Sequence, residues 1–249
     1  MKPILYYQSD GKGNPIWDFA AIAKMGAEEL GIETKEFEES FEIPYNPYKI
    51  IVGSVEECKS YLEENGLDVP ESIQNKELLS FMKRDSIIGD KESIGGIYDS
   101  INIGGKVFIK PANSVKSFTG QVVYSKEEMF NIIEGCNEFL LQSVIDIDSE
   151  YRLYIRGGRV IGMKHYIGDP LLFPDPEFIN DCIKGSNFLN KTHSAYTLDF
   201  GVSYKGETML IEANDAWAIG NYGLEPRDYY YFVRDRWLQI TGVTRWNIN

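Results

Sequence analysis

The sequence predicts a mixed α/β protein in which a small α/β unit precedes a longer region rich in β-hairpins. Two observations lead to this fold class. In the first 75 residues, strand-like apolar runs alternate with helix-like runs, as is typical of α/β units. Further along, paired runs of β-branched and aromatic residues flank short turns that contain glycine, as in antiparallel hairpins. A linker is predicted within residues 66–75, which contain Pro70, so that the two domains would be residues 1–75 and 76–249.

The amino-terminal unit begins with a predicted strand over residues 2–8. Asn14 and Pro15 then predict the start of a helix that ends at Gly31, because Asn is a favoured N-cap and Pro suits the first helical turn. Further strands and a helix complete the unit, at residues 32–37, 48–52 and 55–64. A short helix over residues 76–83 is predicted to lead into the second domain.

Two apolar runs near the carboxyl terminus, residues 196–204 and 209–215, carry oxygen-bearing side chains inside predicted strands. The turn between them contains Gly206, so a hairpin is expected. Glu212 and Asn214 are two residues apart and should project from the same face, with Asp199 on the neighbouring strand. Carboxylate and amide oxygens suit Mg²⁺, so these three residues predict a metal site. The alternative is that the two carboxylates are solvated residues beside a turn.

A polar loop follows the apolar strand that ends at Lys110. Pro111 is expected to stop the strand ladder, and the loop then leads into another apolar strand. Small hydroxyl residues and glycine leave backbone N–H groups free to hold phosphate oxygens, while lysines add positive charge. The loop residues that fit this description are Asn113, Ser114, Lys116, Ser117, Thr119 and Gly120. The alternative is an ordinary hairpin with a solvated tip.

A third segment contains a buried strand over residues 139–145, which includes Gln142, Ser143 and Val144. A strand with Glu150 and Arg152 follows. Each of these segments is a weak signal alone, but their order along the chain is more specific. The order of these segments resembles that of the ATP-grasp superfamily. The segments are, in order, the strand that ends in Lys-Pro, the polar loop, the Gln-Ser-Val segment, the Glu-x-Arg strand, the Asp strand and the Glu-x-Asn strand. The resemblance covers about residues 80–240, and is greatest to the small, divergent members found in phages and bacteria.

This resemblance implies an ATP-grasp fold, in which a small amino-terminal α/β unit is followed by two α+β subdomains that clasp ATP. It also implies an ATP-dependent ligase that joins a carboxylate to an amine through an acyl-phosphate. The expected cofactors are ATP and Mg²⁺, with Mn²⁺ as a substitute. The expected partners are small-molecule or peptide carboxylates and amines.

The resemblance further assigns roles to individual residues. Lys110 matches the lysine that contacts the nucleotide phosphates, and Arg152 matches the arginine that stabilises the acyl-phosphate. Among the upstream basic residues Lys83, Arg84 and Lys91, Arg84 is the preferred phosphate contact. The implied nucleotide-binding set is Arg84, Lys110, Ser114, Lys116, Ser117, Thr119 and Gly120, the hinge residues Gln142, Ser143 and Val144, and Glu150. The implied metal ligands are Asp199, Glu212 and Asn214. Trp217 and Asn221 follow these ligands directly, so they are expected to line the substrate pocket with Arg152.

Composition narrows the functional classes. A formal net charge of −13 argues against general nucleic-acid binding, which depends on clustered Lys and Arg. The cysteines, Cys58, Cys136 and Cys182, have no paired spacing, which argues against a disulfide framework and favours a reducing, cytoplasmic setting. No apolar run approaches membrane-spanning length.

Two other functions remain compatible with the same motifs. The first is an ATP-grasp phosphotransferase that phosphorylates its substrate without ligation, as a kinase does. The second is a non-catalytic nucleotide-binding or interaction protein. The sequence leaves the identity of the acid and the amine, the nature of the product and the oligomeric state open.

Overall fold

The computed structural model describes residues 2–73, 76–101, 104–112, 118–133 and 136–243. Within these ranges the chain forms three β-sheets with helices packed against them. The strands are β1 Ile4–Gln8, β2 Glu33–Phe37, β3 Lys49–Val52, β4 Ser86–Asp90, β5 Val107–Pro111, β6 Gln121–Val123, β7 Glu138–Ser143, β8 Ser149–Arg156, β9 Arg159–Gly168, β10 Ala195–Val202 and β11 Thr208–Asp215. The helices are α1 Asp18–Glu29, α2 Val55–Glu64, α3 Lys76–Leu79, α4 Ile94–Ile101, α5 Lys126–Ile132, α6 Pro176–Gly185, α7 Leu189–Thr192 and α8 Pro226–Ile240.

The first sheet is parallel, with strand order β2-β1-β3, and it confirms the predicted α/β unit. The predicted start of its first helix was wrong. The helix begins at Asp18, with Trp17 as the N-cap, and Asn14 instead hydrogen-bonds to Asp10. The physical reason is a bridge between Ser9 and Pro15, which folds the chain back against the end of β1. The helix can therefore begin only after this turn is complete.

The carboxyl-terminal helix α8 packs into the core of the amino-terminal unit. Its Trp237 is fully buried and makes an edge-on contact with Tyr61 of α2, with ring centroids 6.0 Å apart. Helix α8 also approaches α1 closely at Gly26, where an added Cβ would lie 2.0 Å from the carbonyl oxygen of Pro226. The parallel sheet and the helices α1 and α2 therefore share one hydrophobic core with the last helix, α8.

Two four-stranded antiparallel sheets form the rest of the molecule, with strand orders β4-β7-β5-β6 and β11-β10-β8-β9. Each sheet has its own core. The first is centred on residues such as Phe139 and Val107, and the second on residues such as Phe200 and Leu198. Strand β5 of the first of these sheets carries Lys110. The hairpin of β10 and β11, in the second sheet, carries Asp199, Glu212 and Asn214. The fold therefore brings the predicted site residues from two sheets to one junction.

A β-bulge in the last hairpin decides which side chains face the site. Asp199 pairs with Glu212, but the next pair is Phe200 with Leu210, so Ile211 is an extra residue on β11. A bulge of this kind reverses the alternation of side chains along the strand. Leu210 and Ala213 can both reach the hydrophobic core because of this shift.

Candidate active site

The centre of the site is an ion pair between the two sheets. Lys110 Nζ lies 3.2 Å from Glu212 Oε2, and Asn214 Nδ2 donates a hydrogen bond of 2.8 Å to Glu212 Oε1. Burial alone would raise the pKa of Glu212, but the charge of Lys110 and the hydrogen bonds from Asn214 and Lys110 leave it below its ordinary value. Glu212 is therefore ionised at neutral pH and presents a fixed negative charge.

Two cavities meet at this ion pair. The smaller has a volume of about 280 Å³ and the larger about 600 Å³, and both are lined by Lys110 and Glu212. The smaller is walled mainly by apolar side chains of the two antiparallel sheets, including Phe108 and Ile211. The larger extends towards the amino-terminal unit, where residues 71–73 of the predicted linker line it. An elongated ligand could therefore pass the ion pair from one cavity to the other.

Arg84 faces the smaller cavity without a complete set of partners. Its Nε is buried and has no hydrogen-bond acceptor among the described residues, and its guanidinium lies 5.7 Å from the ring centre of Phe108. Burial lowers the pKa of Arg84 to about 10, although the charges of Glu212 and Glu150 act in the opposite direction. A buried, under-paired guanidinium has the chemistry to receive an anion such as a phosphate.

The predicted hinge residues occupy different positions. Val144 lines the smaller cavity. Gln142 is fully buried and its Nε2 donates to Ser86 Oγ at 2.9 Å, while Ser143 Oγ accepts a hydrogen bond from the backbone N–H of Asp85. The side chains of Gln142 and Ser143 thus fasten β7 to the beginning of β4. A contact between this segment and a nucleotide base remains a prediction.

Arg152 and Asp199 form a buried bidentate pair. Arg152 Nε and Nη2 donate to the two carboxylate oxygens of Asp199 at 2.9 and 2.6 Å, and the residues directly oppose each other in the β8–β10 register. Burial raises the pKa of Asp199 to about 6, against the lowering effect of Arg152. The guanidinium also lies 4.7 Å from the ring centre of Tyr222. In this arrangement Arg152 is already engaged, although it was predicted to bind a substrate carboxylate.

Glu150, two residues before Arg152 on β8, lines the smaller cavity. The hydroxyl of Tyr166 donates a hydrogen bond of 2.5 Å to Glu150 Oε2. Tyr166 in turn stacks on Tyr222, with ring centroids 4.5 Å apart. Burial raises the pKa of Tyr166, so this hydroxyl remains a donor at neutral pH. The contact fixes the carboxylate on one wall of the cavity.

The structure describes the carboxyl-terminal end of the predicted phosphate loop. Thr119 and Gly120 line the larger cavity beside Lys110, whereas Asn113, Ser114, Lys116 and Ser117 lie outside the described residues. A Cβ on Gly120 would approach the Phe108 ring to 2.8 Å and Lys110 Cβ to 3.1 Å. Glycine therefore allows this segment to pass close to β5.

Of Trp217 and Asn221, which were both predicted to line a substrate pocket, the structure places the first at a cavity and the second in a turn. Trp217 is buried and lines the larger cavity. The side chain of Asn221 closes a turn, because its Oδ1 accepts from the backbone N–H groups of Gly223 and Leu224 at 2.7 Å each. Asn221 is thus engaged in holding the loop after β11.

The donor chemistry at the ion pair fits a hard divalent cation. Glu212 supplies carboxylate oxygens, and Asn214 directs its amide N–H towards Glu212 and has no acceptor contact at its carbonyl oxygen from another described residue. Within the described parts of the chain, no three His, Cys, Asp or Glu side chains gather closely enough to hold a metal by themselves. Such a site would suit Mg²⁺, which usually takes one or two protein carboxylates and completes its shell with phosphates and water.

Several residues near the cavities were not singled out by the sequence. Trp17 and Phe19 line a small cavity beside the larger one, together with Glu56 and Ile219. The sequence did contain a signal for these residues, since open α/β sheets bind ligands at the carboxyl ends of their strands and Trp17 follows the first strand.

Among the described residues, no helix has the length and apolar content needed to cross a membrane.

Several solved structures have a similar fold. D-alanine–D-alanine ligase from Bacillus anthracis has a TM-score of 0.54 and 14% identity, with 97% of each chain covered. An ATP-grasp RimK domain protein from Sphaerobacter thermophilus has a TM-score of 0.58 and 13% identity over 94% of this chain and 98% of the other. The macrocyclase MdnC from Microcystis aeruginosa, solved with its precursor peptide MdnA, has a TM-score of 0.54 and 12% identity. The match covers 98% of this chain and 100% of the MdnC chain.

These likenesses show that the fold is the ATP-grasp fold, as the sequence predicted. A sequence comparison with curated proteins gave no match. The sequence profile described as "ATP-grasp domain, R2K clade family 2" matches residues 81–232, which is more than half of the chain. The protein therefore belongs to this ATP-grasp family.

Proposed function

We propose that the protein is an ATP-dependent carboxylate–amine ligase that forms an amide or peptide bond. The observation that carries the proposal is the position of Lys110 and Glu212 at the meeting point of two cavities. The smaller cavity has the apolar walls that suit a nucleotide base, and the larger is open to residues of the amino-terminal unit. The phosphates of ATP would lie between them, beside Lys110.

In the first step, a substrate carboxylate oxygen attacks the γ-phosphorus of ATP, and the bond from phosphorus to the ADP oxygen breaks. Lys110 would balance negative charge on the phosphates, and Arg84 would contact them from the smaller cavity. An amine nitrogen then attacks the acyl carbon, the carbon–oxygen bond to phosphate breaks so that inorganic phosphate leaves, and the nitrogen releases its proton to solvent. Thr119 and Gly120 would cover the phosphates from the side of the polar loop.

Glu212 and Asn214 would hold Mg²⁺, with Asp199 contributing through the lone pairs that Arg152 leaves free. When bound, the metal supplies charge neutralisation on the phosphates. We assign Arg152 first to positioning, because it fixes Asp199 and also donates to the carbonyl oxygen of Gly220 at 3.4 Å. Direct contact between Arg152 and a substrate would require this pair to open.

Structures of a D-alanine–D-alanine ligase and of a peptide macrocyclase support substrates that are small molecules or peptides. A direct test is to incubate the protein with ATP, Mg²⁺, hydroxylamine and pools of amino acids or peptides, and to measure hydroxamates by mass spectrometry. A ligase is expected to give a hydroxamate and ADP in equal amounts, because hydroxylamine traps the acyl-phosphate. Glu212→Gln should abolish the signal, and Glu207→Gln, an exposed position on the same hairpin, should retain it.

A phosphorylated product that is stable to hydroxylamine would overturn the ligase proposal in favour of a kinase-like phosphotransferase. Binding of ATP without any ADP formation, across acid pools that include peptides, would favour the non-catalytic alternative.

A further inference from the structure

A third cavity of about 150 Å³ lies beside the larger one, against the carboxyl end of the parallel sheet. It is continuous with the larger cavity, because four residues line both: Val55, Glu56, Ala218 and Ile219. Its remaining walls are Trp17, Phe19, Gly53, Ser54 and Gly220. A cavity of this size in a protein can accept a benzene ring.

The aromatic wall of this third cavity is held in place. Trp17 is 41% exposed, yet its Nε1 donates a hydrogen bond of 2.9 Å to Gln8 Oε1. The same oxygen accepts from the backbone N–H of Ser54 at 2.8 Å, at the beginning of α2. Trp17 also stacks on Phe19, with an interplanar angle of 15°. The exposed indole is therefore fixed at the cavity without a ligand, and little side-chain entropy remains to be lost on binding.

The opposite wall is formed by the loop after β11. The carbonyl oxygen of Ile219 accepts a hydrogen bond of 2.5 Å from Tyr229, and that of Gly220 accepts from Arg152. These bonds fix the backbone of the loop. Gly220 itself leaves room, because an added Cβ would meet no heavy atom within 4 Å. The space between the two walls is therefore preformed.

The charges of the residues that line the larger and third cavities indicate which substrate of a ligase, the acid or the amine, would bind there. Among the described residues that line the larger and third cavities, Lys110 is the one lysine or arginine, and it is paired with Glu212. The side chain of Glu56 lies at the junction of the two cavities and has no hydrogen bond or ion pair to another described residue. A carboxylate placed there would be repelled, whereas an ammonium group would be attracted.

From this geometry we infer that the amine substrate carries a large apolar or aromatic side chain, which occupies the third cavity between Trp17 and Ile219, with its ammonium group beside Glu56. This inference rests on the proposed ligase function. It assigns Trp17, Phe19 and Gly220 to substrate specificity, and it predicts an acceptor of the amino-acid or peptide amino-terminus type.

The experiment measures binding of amino-acid amides, whose blocked carboxyl group prevents them from acting as the acid. The protein is saturated with Mg²⁺ and a non-hydrolysable ATP analogue and is titrated with phenylalaninamide, leucinamide and glycinamide by calorimetry or ligand-observed NMR. Phenylalaninamide and leucinamide are each expected to bind at least about ten-fold more tightly than glycinamide. Trp17→Ala removes the aromatic wall and Gly220→Leu fills the cavity, so each should remove this preference.

Gly96→Leu, on the exposed face of α4, is the matched control and should retain the preference. All variants should bind the ATP analogue as the wild type does. If the analogue binds and phenylalaninamide shows no advantage over glycinamide, the inference fails while the proposed function stands. If phenylpropanoate, an acid of similar shape, binds more tightly than phenylalaninamide, the assignment to the amine is overturned. Failure of the wild type to bind the ATP analogue would instead contradict the proposed function.

Discussion

Lys110 and Glu212 are 102 residues apart in the sequence, yet their side chains meet with Nζ 3.2 Å from Oε2. One residue comes from the sheet of β5 and the other from the sheet of β11. The pair therefore joins the two halves of the fold that would enclose a nucleotide. It also separates the smaller cavity from the larger, so substitutions on either side should have separable effects on nucleotide binding and turnover.

Lys110→Ala should weaken ATP binding by about ten- to a hundred-fold, because a charge-assisted contact contributes roughly 1.5–3 kcal/mol. Calorimetric titration with ATP and Mg²⁺ measures this directly. Lys126→Ala is the matched control, since Lys126 forms an exposed ion pair with Asp99 and neither residue lines the three cavities. Equal ATP affinity for the wild type and Lys110→Ala would remove the basis for placing the phosphates at this lysine.

Glu212→Gln and Asn214→Ala should each lower ATP turnover by roughly a hundredfold or more, since a metal ion contributes several kcal/mol of charge stabilisation. The fold should persist, because both side chains are only partly buried. Turnover is measured by ADP release over a range of Mg²⁺ concentrations, and folding by circular dichroism. Full magnesium-dependent turnover by Glu212→Gln would show that the metal lies elsewhere.

Arg84→Met should weaken ATP binding and at the same time raise the free energy of unfolding of the nucleotide-free protein. The reason is that the buried Nε has no acceptor among the described residues, so the charge is costly until an anion arrives. Chemical denaturation with and without ATP separates the two effects. A variant that is less stable than the wild type without ATP would mean that Arg84 is a structural residue.

Asp199→Asn should change how stability depends on pH. Burial raises the pKa of Asp199 from an ordinary value of 3.8 to about 6, so this group favours the folded state below pH 3.8 and loses that contribution as pH rises through about 6. The wild type should therefore lose stability relative to Asp199→Asn between these two pH values. Denaturation midpoints of both proteins across this range provide the measurement. A constant difference would show that Arg152 keeps Asp199 ionised throughout.

Arg236→Ala should lower the free energy of unfolding by about 3–5 kcal/mol, because it leaves Asp215 buried without its main partner. Arg236 donates to both oxygens of Asp215, at 2.7 and 2.6 Å. Burial alone would raise the pKa of Asp215, but His193 and Arg236 leave it below 3.8, so its contribution is present above that pH and is lost as pH falls. The effect of the substitution should therefore be largest near neutral pH.

Chemical denaturation at pH 7 and at pH 4 tests the Arg236 prediction. Lys184→Ala is a suitable comparison, because its pair with Asp181 is largely exposed and should contribute little. A loss for Arg236→Ala no larger than that for Lys184→Ala would show that the buried pair does not hold α8 to β11.

The sequence predicted the amino-terminal α/β unit, the hairpins and the order of the motifs because each depends on local patterns. Strand residues, turn glycines and the two-residue spacing of Glu212 and Asn214 are visible without a structure. The family resemblance was carried by the same local motifs, and the family match over residues 81–232 confirms it. The start of α1 was not predictable in this way, because it depends on the bridge from Ser9 to Pro15.

The sequence by itself thus determined the elements of the fold and the chemical types of the site residues, since periodicity and residue chemistry act over a few positions. Only the tertiary structure decided which of these residues meet. It placed Arg152 on Asp199 through the β8–β10 register, and the bulge at Ile211 set which face of β11 meets the site. It also brought Trp17 beside Ile219 from opposite ends of the chain. Such contacts depend on strand register and on packing between distant segments, which no local pattern encodes.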